Sequence, residues 1–152
     1  MALHFSKEEF EKRKLKTLQS MKEQNLDALL MFRQESMFWL TGYDTFGYVF
    51  FQTLILDQNG KIILLTRAPD LRQAQNTSNI SDIRIWVDKD GSNPTDDLKT
   101  ILNEQNLKGK KIGVEYEAYG MTGRNALRLN KSLDNYCSVE DQSELITKHR
   151  VI

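Results

Sequence analysis

Two apolar runs joined by an Asn-Gly turn constrain this chain more than any other feature. They are Tyr48 to Leu56 and Lys61 to Thr66, with Asp57-Gln58-Asn59-Gly60 between them. Both runs are rich in β-branched or aromatic residues and too short for free-standing helices, and an Asn-Gly connection is a strong hairpin signal. The stretch Ser36 to Thr66 therefore predicts a central β-hairpin. Ahead of it stand an aromatic cluster, Phe38-Trp39-Leu40, a break at Gly42, and a glycine-flanked loop, Tyr43-Asp44-Thr45-Phe46-Gly47.

The rest of the chain reads as helices and strands added around the hairpin. Ser6-Lys7-Glu8-Glu9 has the capping-box pattern and predicts a helix to about Gln24, with Phe10, Leu15, Leu18 and Met21 inward. Leu26 to Phe32 is a short apolar run, as a buried strand is. Phe38-Trp39-Leu40 reads as a helical turn ending at Gly42. A helix starts at Pro69, Ile83 to Val87 alternates as a strand, and Asn93-Pro94 opens a helix that ends near Gln105. Ile112-Gly113-Val114 is a short strand. Thr122 to Leu133 is a helix with Ala126, Leu127 and Leu129 inward, Tyr136 to Val139 is a last strand, and Asp141-Gln142-Ser143-Glu144 opens a final helix. Strands alternating with helices, plus one hairpin, predict an α/β fold in three layers, a mixed sheet with helices on both faces.

Charge and cysteine content exclude some partners. Lys and Arg total 21, Asp and Glu total 21, so the net charge gives no case for nucleic acid or an anionic membrane. No apolar stretch approaches the ~20 residues of a membrane span. Cys137 is the single cysteine. A reducing, cytoplasmic setting is the expectation.

Motifs that carry chemistry are mostly missing. Gly42 and Gly47 have phosphate-loop spacing, but Tyr48-Val49 stands where Lys-Ser/Thr is needed. Asp88-Lys89-Asp90-Gly91 resembles a calcium loop only faintly, because its glycine comes too early. His4 and His149 lack an i,i+4 partner for zinc. Cys137 reads as a small buried hydrophobe. Glu115 and Glu117 could do acid/base work as a pair, but exposed residues at a strand end are the commoner arrangement. Within this chain, then, no residue is assigned a catalytic or metal-binding role. Tyr43, Asp44, Phe46 and Tyr48 are the candidates for contact with a ligand or another subunit.

A set of segments, in order, now resembles a known family. They are Arg13 and Leu15 on the first helix, Met21 to Leu30, Phe38-Trp39-Leu40-Thr41-Gly42-Tyr43, the hairpin, Ile112-Gly113-Val114-Glu115, and Asp141 to Ile146 with Arg150. The chain resembles the N-terminal domain of the creatinase, prolidase and aminopeptidase P family across essentially its whole length. The "LTG" and "IGVE" segments are the most specific parts.

The resemblance implies a ribonuclease-H-like α/β layer over residues 1–140. Residues 141–152 would start an inter-domain helix, and a "pita-bread" catalytic domain would follow outside this chain. It also implies that a dinuclear divalent metal site (manganese, cobalt or zinc, held by two Asp, one His and two Glu) belongs to that domain, so no catalytic residue carries over. The implied role is a non-catalytic part of a metal-dependent Xaa-Pro dipeptidase-like hydrolase, aiding dimerisation and substrate access. Its partners would be its own catalytic domain and a second subunit, with Tyr43 to Tyr48 as the reaching loop. The alternatives are a free-standing α/β binding or assembly module and a domain of a creatinase-like amidinohydrolase.

Overall fold

The computed structural model describes residues 3–150; Met1, Ala2, Val151 and Ile152, and with them the end of the expected inter-domain helix, lie outside it. The strands are β1 (Ala28–Met31), β2 (Thr53–Asp57), β3 (Ile62–Arg67), β4 (Asp82–Trp86), β5 (Lys111–Val114) and β6 (Ser138–Asp141). They form one six-stranded sheet in the order β4-β3-β2-β1-β5-β6. β2 is antiparallel to both its neighbours, with Ile55 opposite Leu30 on one side and Ile63 on the other. The pairs β1–β5, β5–β6 and β3–β4 are parallel. Every strand except β2 therefore ends at the same edge, and β2 begins there.

Side chains on a strand alternate between faces, and the central strands are apolar on both. Leu30, Ile55, Ile63 and Leu65 go to one core, with Leu98, Ile101, Leu102, Leu129 and Leu133. These last five come from α4 (Pro94–Glu104) and α5 (Gly123–Leu133). Leu29, Met31, Leu54, Leu56 and Leu64 go to the other core. That core is covered by α1 (Lys7–Glu23), α2 (Gln34–Thr41), α3 (Leu71–Thr77) and α6 (Leu145–Arg150), the last through Leu145 and Ile146. The expected mixed sheet between two helix layers is what forms. Each fully buried Leu or Ile contributes roughly 1.5–3 kcal/mol, so these two cores supply the main drive to fold.

Several expected details differ. The strand expected from Tyr48 starts only at Thr53, because Gly47 begins a turn closed by a bond from the Phe50 amide to the Gly47 carbonyl, 3.0 Å. Leu15 and Leu127 are 64% and 74% exposed, although they were expected inside. The inward stripe of α5 is Ala126, Leu129 and Leu133, and Leu127 sits one residue, about 100° of turn, off it. The Ser6 hydroxyl caps the Glu9 amide as predicted (3.1 Å), but Glu9 pairs with Arg13 at 3.2 Å. Val87 lies beyond the end of β4, and Tyr136 and Cys137 fall in the turn before β6. Asp141 closes β6 instead of opening a helix. Its carboxylate accepts from the Ser143 amide and hydroxyl (3.0 and 2.6 Å), and α6 starts at Leu145.

Candidate functional site

The edge where five strands end and β2 begins is where open α/β sheets place their ligands. The segment from Gly42 to Gln52 lies there, and its buried residues fix it. Gly42 ends α2 in the left-handed region, φ +84°, and a Cβ there would lie 2.7 Å from the Thr77 carbonyl oxygen. Tyr43 is fully buried. Its hydroxyl donates to Gln52 Oε1 (2.7 Å), and its carbonyl accepts from Gln34 Nε2 (2.8 Å). Burial pushes the Tyr43 phenol up to about 12. Thr45 donates to Asp70 Oδ1 (2.6 Å) and accepts from the Gly47 amide (3.0 Å). Gly47 runs so close to Asp70 that a Cβ would stand 2.5 Å from the carboxylate.

What this frame holds up is an apolar ridge. Phe46 is 92% exposed, and Tyr48, Val49 and Phe50 are each about half exposed. The Tyr48 ring meets that of Tyr119 edge-on, 5.7 Å between centroids. The Arg67 guanidinium lies 3.5 Å over the Phe50 ring and is itself paired with Asp70 and Asp88. The next residue, Phe51, is buried and accepts from Trp86 Nε1, 3.0 Å.

The ridge divides two clefts. One, of about 410 Å³, is lined by Arg33, Gln34, Glu35, Tyr48, Glu117 and Tyr119. The other, of about 570 Å³, has Val49, Phe50, Trp86, Arg124 and Arg128 among its walls. A larger groove of about 900 Å³ runs along α1 beside His149, away from the ridge. Lys7, Glu8, Glu11, Lys12, Lys16 and Glu23 of α1 line it.

At the strand ends beside the first cleft sits Glu115, which the sequence placed on a solvated strand end. It is fully buried instead. Its Oε1 accepts from the Phe32 and Arg33 amides (3.1 and 3.0 Å), and its Oε2 accepts from Ser36 Oγ (2.5 Å). It thus caps α2, which has no cap from its own sequence. Desolvation raises Glu115 to about 7, against the opposing pull of Ser36, the two amides and Arg33. Glu117 is exposed, so the two carboxylates are not an acid/base pair.

The four candidate contact residues separate. Tyr43 is part of the core, its side chain fully buried in this chain. Asp44, Phe46 and Tyr48 are on the surface. Tyr119, from a loop that sequence reasoning passed over, completes the aromatic ridge. Cys137 is half buried, and burial pushes its thiol up to about 11, away from nucleophile chemistry. Among the described residues no three His, Cys, Asp or Glu side chains come together as a metal site. No described helix is long and apolar enough to cross a membrane.

A mixed six-stranded sheet between two helix layers is the fold that this chain shares with solved prolidase structures. The prolidase of Thermococcus sibiricus superposes with a TM-score of 0.77 at 19% identity, over 94% of this chain and 37% of that one. This chain belongs to the Creatinase/Prolidase N-terminal domain family, which residues 13–152 match. It is 30% identical over 140 residues to the uncharacterized hydrolase/peptidase y4tM of Sinorhizobium fredii, covering 88% of this chain and 36% of that protein. It is 27% identical over 126 residues to the ectoine hydrolase of Halomonas elongata, covering 78% of this chain and 32% of that protein. The chain thus spans about a third of the length of these curated relatives.

Proposed function

We propose that this domain is the non-catalytic N-terminal part of a metal-dependent hydrolase of the Xaa-Pro dipeptidase type, and that its ridge shapes substrate access and subunit pairing. The carrying observation is the ridge itself: Phe46, Tyr48, Val49 and Phe50 stand in solvent on a loop anchored by the buried residues Tyr43, Thr45, Gly47 and Phe51. Holding apolar side chains in water is unfavourable unless something covers them. The covering surface in this reading is a catalytic domain, its own or a second subunit's, which would carry the divalent metals. Those metals would supply the activation of water for amide hydrolysis, and Asp44, Phe46, Tyr48 and Tyr119 would line the approach. The likeness to an ectoine hydrolase favours a second reading of the substrate, a small cyclic amidine in place of a proline peptide.

The test is proline release from a panel of Xaa-Pro dipeptides, and ring opening of ectoine, with added Mn²⁺ or Co²⁺. It is run on this chain and on the chain joined to the coding sequence downstream of Ile152. Activity in the longer protein alone supports the reading, and the preferred substrate decides between the two. Activity in the 152-residue chain overturns it.

A further inference from the structure

Glu115 is buried, and among the described residues no counter-ion is in contact with it. The Arg33 guanidinium is the charge acting on it, yet it is directed elsewhere: Nη1 donates to the Ser143 carbonyl (3.3 Å) and Thr147 Oγ1 (2.8 Å), and Nε lies 3.9 Å from Glu35. Of the other titratable groups on the elements packed here, Glu35 and Glu117 line the first cleft. Tyr116 follows Glu115 in the chain, its amide bonded to Ser143 Oγ at 3.0 Å, and Asp141 is bonded to Ser143. None of these is bonded to the Glu115 carboxyl. A buried carboxyl group without a paired charge is driven toward its neutral form.

The three donors reaching this carboxyl come from the end of β1 and the first turn of α2. The same turn presents Arg33, Gln34 and Glu35 to the cleft. The state of one carboxyl group is therefore tied to the position of a cleft wall.

We propose that Glu115 is a proton-operated latch on this cleft: neutral, it keeps the start of α2 closed on the ends of β1 and β5; ionised, it favours a state in which α2 lifts and water reaches the carboxylate. In the neutral form Oε2–H donates to Ser36 Oγ, and Oε1 goes on accepting the two amides. On ionisation the proton passes from Oε2 to water in the cleft, and the Ser36 hydroxyl turns to donate. A hydroxyl can do either. The closed state holds the proton more tightly than an open, hydrated one, so opening releases a proton and is favoured as pH rises. Burial of the group, which raises it to about 7, agrees with that direction. The latch does not depend on what the cleft binds, so it stands or falls apart from the function proposed above.

The experiment is a ¹³C NMR titration of the Glu115 carboxyl in the isotope-labelled chain, assigned with Glu115→Gln. It is paired with hydrogen exchange of the amides from Phe32 to Met37 between pH 5 and 8, corrected for intrinsic exchange. The expected result is a midpoint near neutrality and an opening population that rises on the order of a hundredfold over that range, with no such rise in Glu115→Gln. A midpoint in the ordinary carboxylate range, a flat opening curve, or the same rise in Glu115→Gln overturns the latch. Should Glu115→Gln fail to fold, Ser36→Ala serves in its place. Removing this donor to the carboxylate is expected to raise the midpoint further, and an unmoved midpoint overturns the latch equally.

Discussion

Two buried carboxylates hold backbone at opposite edges of the sheet, and they do it by different routes. Asp57, at the hairpin turn, accepts from the Asn59 and Lys61 amides (2.9 and 3.0 Å), two and four residues away. Glu115, at the edge where the other strands end, accepts from Phe32, Arg33 and Ser36, some eighty residues earlier in the chain. The first bond set forms as soon as the turn forms. The second exists only after β5 has paired with β1. A local turn carries its own instructions, whereas the edge with the candidate site is assembled from parts that meet only in the finished fold.

The hardest test of that contrast removes the long-range cap. Glu115→Ala leaves the buried Phe32 amide and the partly buried Arg33 amide without an acceptor, at about 1–3 kcal/mol each, so a loss of about 4 kcal/mol is expected in urea unfolding at pH 5. Glu115→Gln keeps the acceptor and is expected to be far milder. It also changes the pH profile. Folding raises Glu115 from 4.5 to about 7, so the folded chain binds more protons than the unfolded one in that window. The stability it contributes is fully present below about pH 4.5 and is lost as pH rises through about 7. In Glu115→Gln this fall, of order 3 kcal/mol in the parent chain, should disappear.

Next in size is Gly42→Ala. A left-handed Ala costs about 1–2 kcal/mol, and the clash with the Thr77 carbonyl adds about 1–3, so a loss near 3 kcal/mol is expected in urea unfolding. Asp57→Ala should cost less, about 1–2 kcal/mol, because the turn amides it frees are close to solvent. If the local Asp57→Ala proves the most damaging of the three, the contrast between the two edges is wrong.

The same contrast explains what could be read before folding. The hairpin, the helix starts at Ser6 and Asn93, and the alternation that builds two cores all rest on neighbours within a few residues, so the sequence displays them. Glu115 does not. Its dipeptide context, Val114-Glu115 before Tyr116-Glu117, resembles a solvated strand end, and only the pairing of β5 with β1 makes it a cap. The burial of Tyr43 is hidden from the sequence for a similar reason. Read in its loop it is a surface aromatic, but Gln52 and Thr66 on the other side of the ridge supply a buried polar partner for its hydroxyl. The "IGVE" and "LTG" segments thus have physical meanings: one ends in the distant cap of α2, the other in the left-handed stop that starts the ridge.

The smallest expected effect on stability belongs to the residue that matters most to the proposed function. Phe46 is 92% exposed and makes no ring contact with another aromatic among the described residues. Truncating it to Ala should leave the unfolding midpoint of this chain within about 0.5 kcal/mol of the parent. In a protein that also carries the catalytic domain, the same substitution should raise KM severalfold and weaken the subunit pairing measured by sedimentation, with kcat little changed. A ridge residue that affects neither folding nor assembly nor KM would mean that nothing docks there. The local economy of the loop would then be a sufficient account of its shape, and the two edges of the sheet would differ in how they are built but not in what they are for.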